Sequence, residues 1–155
     1  MIVLRRKEKE VTDISEIEAI IEKGRVCRIG FSVDDVSYIV PMYYGYKNGC
    51  LFFHAALSGK KIDMLLKNNQ VCFEIDVHSH IVNTGVPCDW KNSYESVIGF
   101  GSASLVEDLE EKYRALAVLV DHYAPGSEYE FSEKNVMCTA VIKIEISEMT
   151  GKKAK

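Results

Sequence analysis

Asn48-Gly49 is the dipeptide that most narrows what this chain can fold into. Asn-Gly supplies the two positive-φ positions of a tight type I′ turn, so it joins two antiparallel strands across two residues. The flanking residues suit strands. Ser37–Tyr46 is rich in Tyr, Ile and Val, and Cys50–Ala55 is an apolar run that carries His54 near its end. A further turn signal, Asp34-Asp35, stands between Val26–Val33 and Ser37–Tyr46. Strand, turn, strand, turn, strand therefore commits residues 26–55 to an antiparallel meander.

The remaining segments add helices and longer strands. Residues 13–23 predict a helix with Ile14, Ile17, Ile20 and Ile21 on one face, Ser15 and Glu18 at capping-box spacing, and Gly24 as its stop. A second helix is expected at about 59–68, with Ile62, Leu65 and Leu66 facing inward and Asn68-Asn69 ending it. Val71–Val77 reads as a strand, and 78–92 as irregular. Residues 93–106 form a long strand in which Gly99 and Gly101 predict a bend, a bulge or close approach of another backbone. Residues 108–123 are helical, with Leu109, Tyr113, Leu116, Leu119, Val120 and Tyr123 largely on one side. Cys138–Ile146 is the last strand. The fold class is mainly β with flanking helices: a single domain over 1–155 whose six antiparallel strands curl into a barrel and so limit exposed edges.

Composition limits the partners. A formal net charge of −4 argues against nucleic acid and anionic membranes, which call for a basic face. No apolar run reaches the roughly 18 residues of a membrane span. The N-terminus becomes charged at Arg5-Arg6-Lys7 before a signal-peptide core could form, so a cytoplasmic protein is expected. None of the five cysteines falls in a CxxC pair, which suggests neither a disulfide framework nor a zinc site. His78 and His80 would share one strand face, with Asp76 or Asp89 as a third metal ligand, but a polar loop explains the pair and no metal is expected. Cys88, in that same polar stretch, is the candidate reactive thiol.

The chemistry concentrates after His54. Ser58-Gly59-Lys60-Lys61 opens the second predicted helix. A helix N-terminus carries partial positive charge and disfavours lysine unless an anion is near. Free backbone N–H groups, Ser58 at the expected N-cap, a glycine and two cations together describe a phosphate pocket. Adjacent helical residues point about 100° apart, so Lys60 and Lys61 need not act equally. Tyr44 and Tyr46 share one strand face and Tyr43 the other, which makes Tyr43 the candidate ligand-facing member.

Five ordered motifs then resemble one family. They are Pro41-Met42-Tyr43-Tyr44-Gly45-Tyr46, Leu51-Phe52-Phe53-His54, Gly59-Lys60-Lys61, Cys88-Asp89-Trp90, and Tyr94-Glu95-Ser96-Val97-Ile98-Gly99-Phe100-Gly101. In order and spacing they are similar to the nitroimidazole-resistance (Nim) branch of the pyridoxamine 5′-phosphate oxidase-like family, over about residues 5–150. The resemblance implies a split β-barrel that binds flavin mononucleotide (FMN) at a homodimer interface. It implies Lys60 and Lys61 at the FMN phosphate, and Pro41, Met42 and Tyr43 along the flavin ring and ribityl. It also implies that Phe53 and His54 line the same pocket and that Ser96 and Val97 add ribityl and phosphate contacts, while Trp90 reads either as core packing or as an aromatic wall on the flavin or substrate. The C-terminal Arg/His motif of the vitamin B6 oxidases is missing from Ile146–Lys155, so oxidation of B6 phosphates is not expected.

The expected function is an FMN-dependent oxidoreductase that takes electrons from a small donor and reduces a small acceptor such as a nitroaromatic. His54 would supply or orient a proton, because imidazole titrates near neutral pH. No Gly-rich dinucleotide fingerprint is present, so a nicotinamide donor would dock only transiently. The alternatives are a non-catalytic flavin-binding module and a haem-handling split barrel.

Overall fold

A computed structural model describes residues 6–154. Both turn signals form as read. Asp34 and Asp35 have φ of 51° and 61°, and they join β2 (Cys27–Val33) to β3 (Val36–Met42). Asn48 and Gly49, at 51° and 72°, join β4 (Gly45–Lys47) to β5 (Cys50–Ala55).

The strand expected over Ser37–Tyr46 is two strands, β3 and β4, broken at Tyr43-Tyr44. They lie at opposite ends of the sheet, whose order is β3-β2-β6-β7-β8-β5-β4. Here β6 is Gln70–Val82, β7 is Lys91–Leu105 and β8 is Ala140–Ala154, while β1 (Glu10–Val11) pairs with β8. All pairings are antiparallel. The barrel is thus an open, split one of eight strands rather than six. Inward residues such as Phe31, Leu51, Phe53, Phe73, Ile75, Ile142 and Ile144 alternate along the strands and fill it. Cys27 joins this core, where burial pushes its thiol far above the ordinary range.

The strands are longer than their apolar patterns. β6 continues through a bulge after Val77, and pairing resumes from His80↔Ser93 to Val82↔Lys91. Residues 78–92 therefore form a projecting hairpin arm with a 3₁₀ turn at Pro87–Asp89, and every residue in it is exposed. β8 likewise runs past Ile146 to pair with β7 and β1. The two strand glycines behave as expected. A Cβ on Gly99 would lie 2.3 Å from the Phe73 ring, and one on Gly101 would lie 2.4 Å from the Glu145 carbonyl. A bulge falls between Phe100 and Gly101.

α1 (Ile14–Lys23) is capped by Asp13, not Ser15: the Asp13 carboxylate accepts the Glu16 N–H at 3.0 Å and the Ser15 hydroxyl as well. Gly24 ends it with an ordinary φ of −64°. Glycine is required there by crowding, since a Cβ would lie 2.4 Å from both Ile75 Cγ2 and the Tyr44 hydroxyl. α2 (Lys60–Lys67) buries Ile62, Met64 and Leu65, while Leu66 points outward. α3 (Leu109–Tyr123), capped by Asp108, and α4 (Glu133–Met137), which the sequence reading did not contain, cover the outer face of β5 and β8. There Phe52, Ala115, Leu116, Val136 and Val141 form a second apolar cluster. Among the described residues no helix is long and apolar enough to cross a membrane.

Candidate functional site

α2 opens without a side-chain cap. Ser58 was expected to fill that role, but the N-cap is Gly59, at φ 126° and ψ 170°, a backbone conformation for which glycine is suited. Space before the helix is open: a Cβ on Gly59 would meet nothing within 4 Å. The Gly59 carbonyl accepts the N–H groups of Ile62 and Asp63, and among the described residues no side chain claims those of Lys60 and Lys61. Among the described residues neither lysine has a carboxylate partner. The Lys60 ammonium lies 4.3 Å from the centroid of the Tyr38 ring on β3, and Lys61 is half-buried. The helix mouth therefore holds two uncompensated cations and free backbone donors, which suits an anion.

β3 runs beside this mouth as an edge strand, paired only with β2. An edge leaves a row of backbone N–H and C=O groups free. Pro41 is tolerated there because an edge position need not donate to a ladder. Pro41 is exposed, Met42 packs partly into the core, and Tyr43 is 60% exposed. Tyr44 is fully buried, and its hydroxyl donates to the Ile21 carbonyl.

His54 is exposed on β5, opposite Val141 of β8, and it precedes the loop into α2. Phe53 points the other way and is fully buried in the barrel core, as is Val97 on β7. Neither side chain lines an open site, so each could offer a ligand only backbone groups. Ser96 is half-buried on β7, between Asp76 and Lys152 in register. Trp90 is 44% exposed on the hairpin arm.

One chain thus brings Lys60 and Lys61 beside β3, the strand that carries Pro41 and Met42 and leads into Tyr43, while His54 stands on β5 toward the other end of the strand order. The chain leaves Ser96 and Trp90 on β7 and its arm, separated from β3 in the strand order by β2 and β6. His78 and His80 do not share a face either. His78 has a left-handed φ of 55°, and the bulge there breaks the alternation.

Three features escaped the sequence reading. One is Tyr38, whose role needs the fold. The second is an ion cluster on the outer sheet face: Arg28 reaches Glu74 at 2.9 Å and Asp76 at 2.6 Å, while burial raises the Glu74 pKa despite the guanidinium. Exposed Ile39, Ile98 and Phe100 flank this cluster. The third is a groove of about 1080 Å³ between α3 and the β4–β5 hairpin, lined by Tyr46, Phe52, Arg114 and His122 among others. None of the expected site residues lines it.

A family model described as pyridoxamine 5′-phosphate oxidase matches residues 13–153. The chain belongs to the pyridoxamine 5′-phosphate oxidase family. Among solved structures it is similar to a protein from Bacteroides thetaiotaomicron VPI-5482 described as a candidate 5-nitroimidazole antibiotic resistance protein. The identity is 33%, the TM-score 0.83, and the match covers 92% of this chain and 85% of that one. This agrees with the nitroimidazole-resistance branch that the five motifs resemble. The flavocytochrome Anf3 from Azotobacter vinelandii shares the fold at TM-score 0.86 and 20% identity, over 99% of this chain and 72% of that one. So does an FAD- and haem-binding protein from Mycobacterium smegmatis, at TM-score 0.85 and 15% identity, over 95% and 74%. No curated protein matches the chain significantly.

Proposed function

We propose that this family member is an FMN-binding homodimer that reduces small acceptors of the nitroaromatic kind. The observation that carries the reading is the uncapped start of α2, with Lys60 and Lys61 unpaired, set beside the free edge of β3. The residues fit the group. A terminal phosphate matches two cations and open N–H groups at one helix start. The hydrogen-bonding rim of a flavin matches unpaired backbone along Pro41–Tyr43. When bound, FMN supplies the electron chemistry, accepting electrons from a reductant and passing them on.

The chain supplies binding, orientation and a proton. Lys60 and Lys61 anchor the phosphate, and Ser58 and backbone groups of Phe53 lie on the path between β5 and α2. His54, exposed on β5, is the residue proposed to deliver a proton to the reduced acceptor. Ser96, Val97 and Trp90 act from a second copy. The arm offers Ile81, Val82, Val86 and Trp90 to that copy, and the outer sheet offers Ile39, Ile98 and Phe100. The acceptor class comes from the description of the Bacteroides relative.

The test is the purified full-length protein. Visible flavin absorbance at one FMN per chain, a dimer by light scattering, and reductant-dependent loss of a 5-nitroimidazole support the reading. Colourless protein that takes up no added FMN overturns it. Flavin without turnover against a panel of donors and acceptors leaves a binding module instead of an enzyme.

A further inference from the structure

We propose that Tyr38 is a positioning residue for the phosphate end of this site: its ring holds the Lys60 ammonium beside the N-terminus of α2, so that an incoming phosphate meets a cation already in place. The inference rests on the flavin reading above and adds to it the residue that pre-organises one of the two lysines.

Lys60 is the first residue of α2, where the helix dipole repels a cation. An exposed lysine there, with several rotatable bonds and no carboxylate partner, would be expected to swing into water. Its ammonium instead lies 4.3 Å from the Tyr38 centroid, inside the range of a cation–π contact. Tyr38 is a firm anchor. It is half-buried, packs on the main core and pairs in register with fully buried Phe31. Its strand also places Pro41 three residues further along the same edge, about 10 Å away at strand spacing. One rigid strand therefore ties the phosphate end to the ring end, at a spacing suited to a ring and a phosphate joined by a five-carbon chain. Lys61, about 100° round the helix, has no such ring contact among the described residues.

The experiment compares dissociation constants for FMN and for riboflavin, which lacks the phosphate, on flavin-stripped full-length protein. The variants are Tyr38→Leu, Tyr38→Phe, Lys60→Ala and the Tyr38→Leu/Lys60→Ala double. Tyr38→Leu is expected to weaken FMN about three- to tenfold and to leave riboflavin within about twofold, as suits the loss of one cation–π contact. Tyr38→Phe keeps wild-type affinity because it keeps the ring. In the Lys60→Ala background, Tyr38→Leu costs nothing further, since the coupling runs through the ammonium. Equal losses for both flavins mean a packing role and overturn the inference. So does an undiminished Tyr38→Leu effect in the Lys60→Ala background, or no effect at all. A wild-type protein that binds neither flavin overturns the flavin reading itself, and one that binds FMN no better than riboflavin overturns the phosphate assignment.

Discussion

The backbone N–H of Tyr44 donates to the Tyr123 hydroxyl at 2.9 Å, and this bond pins the crossover between the two edges of the sheet to the end of α3. The same hydroxyl donates to the Arg25 carbonyl at 2.8 Å, and the Tyr123 ring meets Tyr43 edge-on at 5.4 Å. His122 next to it bonds the Gly24 carbonyl at 2.7 Å. The end of α1, the crossover and the end of α3 are thus tied at one point. The exposed Tyr43 is thus held by the Tyr123 ring at the end of α3.

Tyr123→Phe removes both hydrogen bonds and keeps the ring. The expected loss is about 1–2 kcal/mol of unfolding free energy, because the Tyr44 N–H is left without its partner. Urea denaturation measures it. A loss below a few tenths of a kcal/mol shows that water replaces the hydroxyl and that the knot does not hold the crossover.

Gly45→Ala tests how closely α3 seats on β4. A Cβ there would lie 2.6 Å from the Leu119 nitrogen and 2.7 Å from the Val118 carbonyl carbon, which are backbone atoms that cannot rotate away. We expect destabilisation of about 1–3 kcal/mol, the usual range for overpacking. Gly49→Ala meets no atom within 4 Å, and its cost comes from the φ of 72° alone. Comparing the two melting curves separates crowding from backbone strain.

Glu95 gives a pH signature. It lies between Lys153 at 2.6 Å and Lys23 at 3.3 Å, and these partners, Lys153 foremost, lower its pKa in the folded protein. A lowered folded pKa stabilises the protein above the ordinary glutamate value, and that contribution is lost as pH falls through the folded value. Glu74 runs the other way: burial raises its folded pKa, so its ionised form costs stability at neutral pH and the cost disappears on acidification. Glu95→Gln is expected to flatten part of the acid-side decline in stability, by under about 1 kcal/mol because both lysines are solvent-accessible. An unchanged pH profile would falsify the assignment.

Lys61→Ala should weaken FMN by roughly ten- to a hundredfold, as for loss of a charge-assisted contact, with riboflavin little affected. Unfolding free energy should stay within about 0.5 kcal/mol of wild type, because among the described residues the side chain has no carboxylate partner to lose. Isothermal titration and urea melts on one preparation decide both. Equal affinity for FMN in variant and wild type removes Lys61 from the phosphate site.

His54→Gln should bind flavin and fold normally, since the imidazole is exposed on β5. Turnover of a nitroaromatic should fall about 10²-fold or more if the residue delivers the proton. Full turnover with an unaltered pH–rate profile leaves His54 as lining only.

The two tight turns were legible locally, whereas the caps of α1 and α2 fell to Asp13 and Gly59 and not to Ser15 and Ser58. Asp34-Asp35 and Asn48-Gly49 specify their turns because positive φ is a property of adjacent residues. The helix starting after Gly59 and its cation pair were legible for the same reason, as was the crowding at Gly99 and Gly101. The five ordered motifs carried the family. Features that depend on partners distant in sequence were not legible. The alternating pattern across Ser37–Tyr46 holds no sign of the break at Tyr43-Tyr44, because the break exists to carry the chain from one sheet edge to the other. β6 beyond Val77 and β8 beyond Ile146 lack an apolar period, and cross-strand pairing alone makes them strands. Phe53 and His54 are neighbours in one motif, yet the way the sheet packs sends the phenylalanine into the core and leaves the histidine outside. Tight turns are short-range energetics, written in neighbouring residues. The edge at β3, the seat of Lys60 on Tyr38 and the separation of Trp90 from that edge arise from long-range pairing, which only the tertiary structure decides.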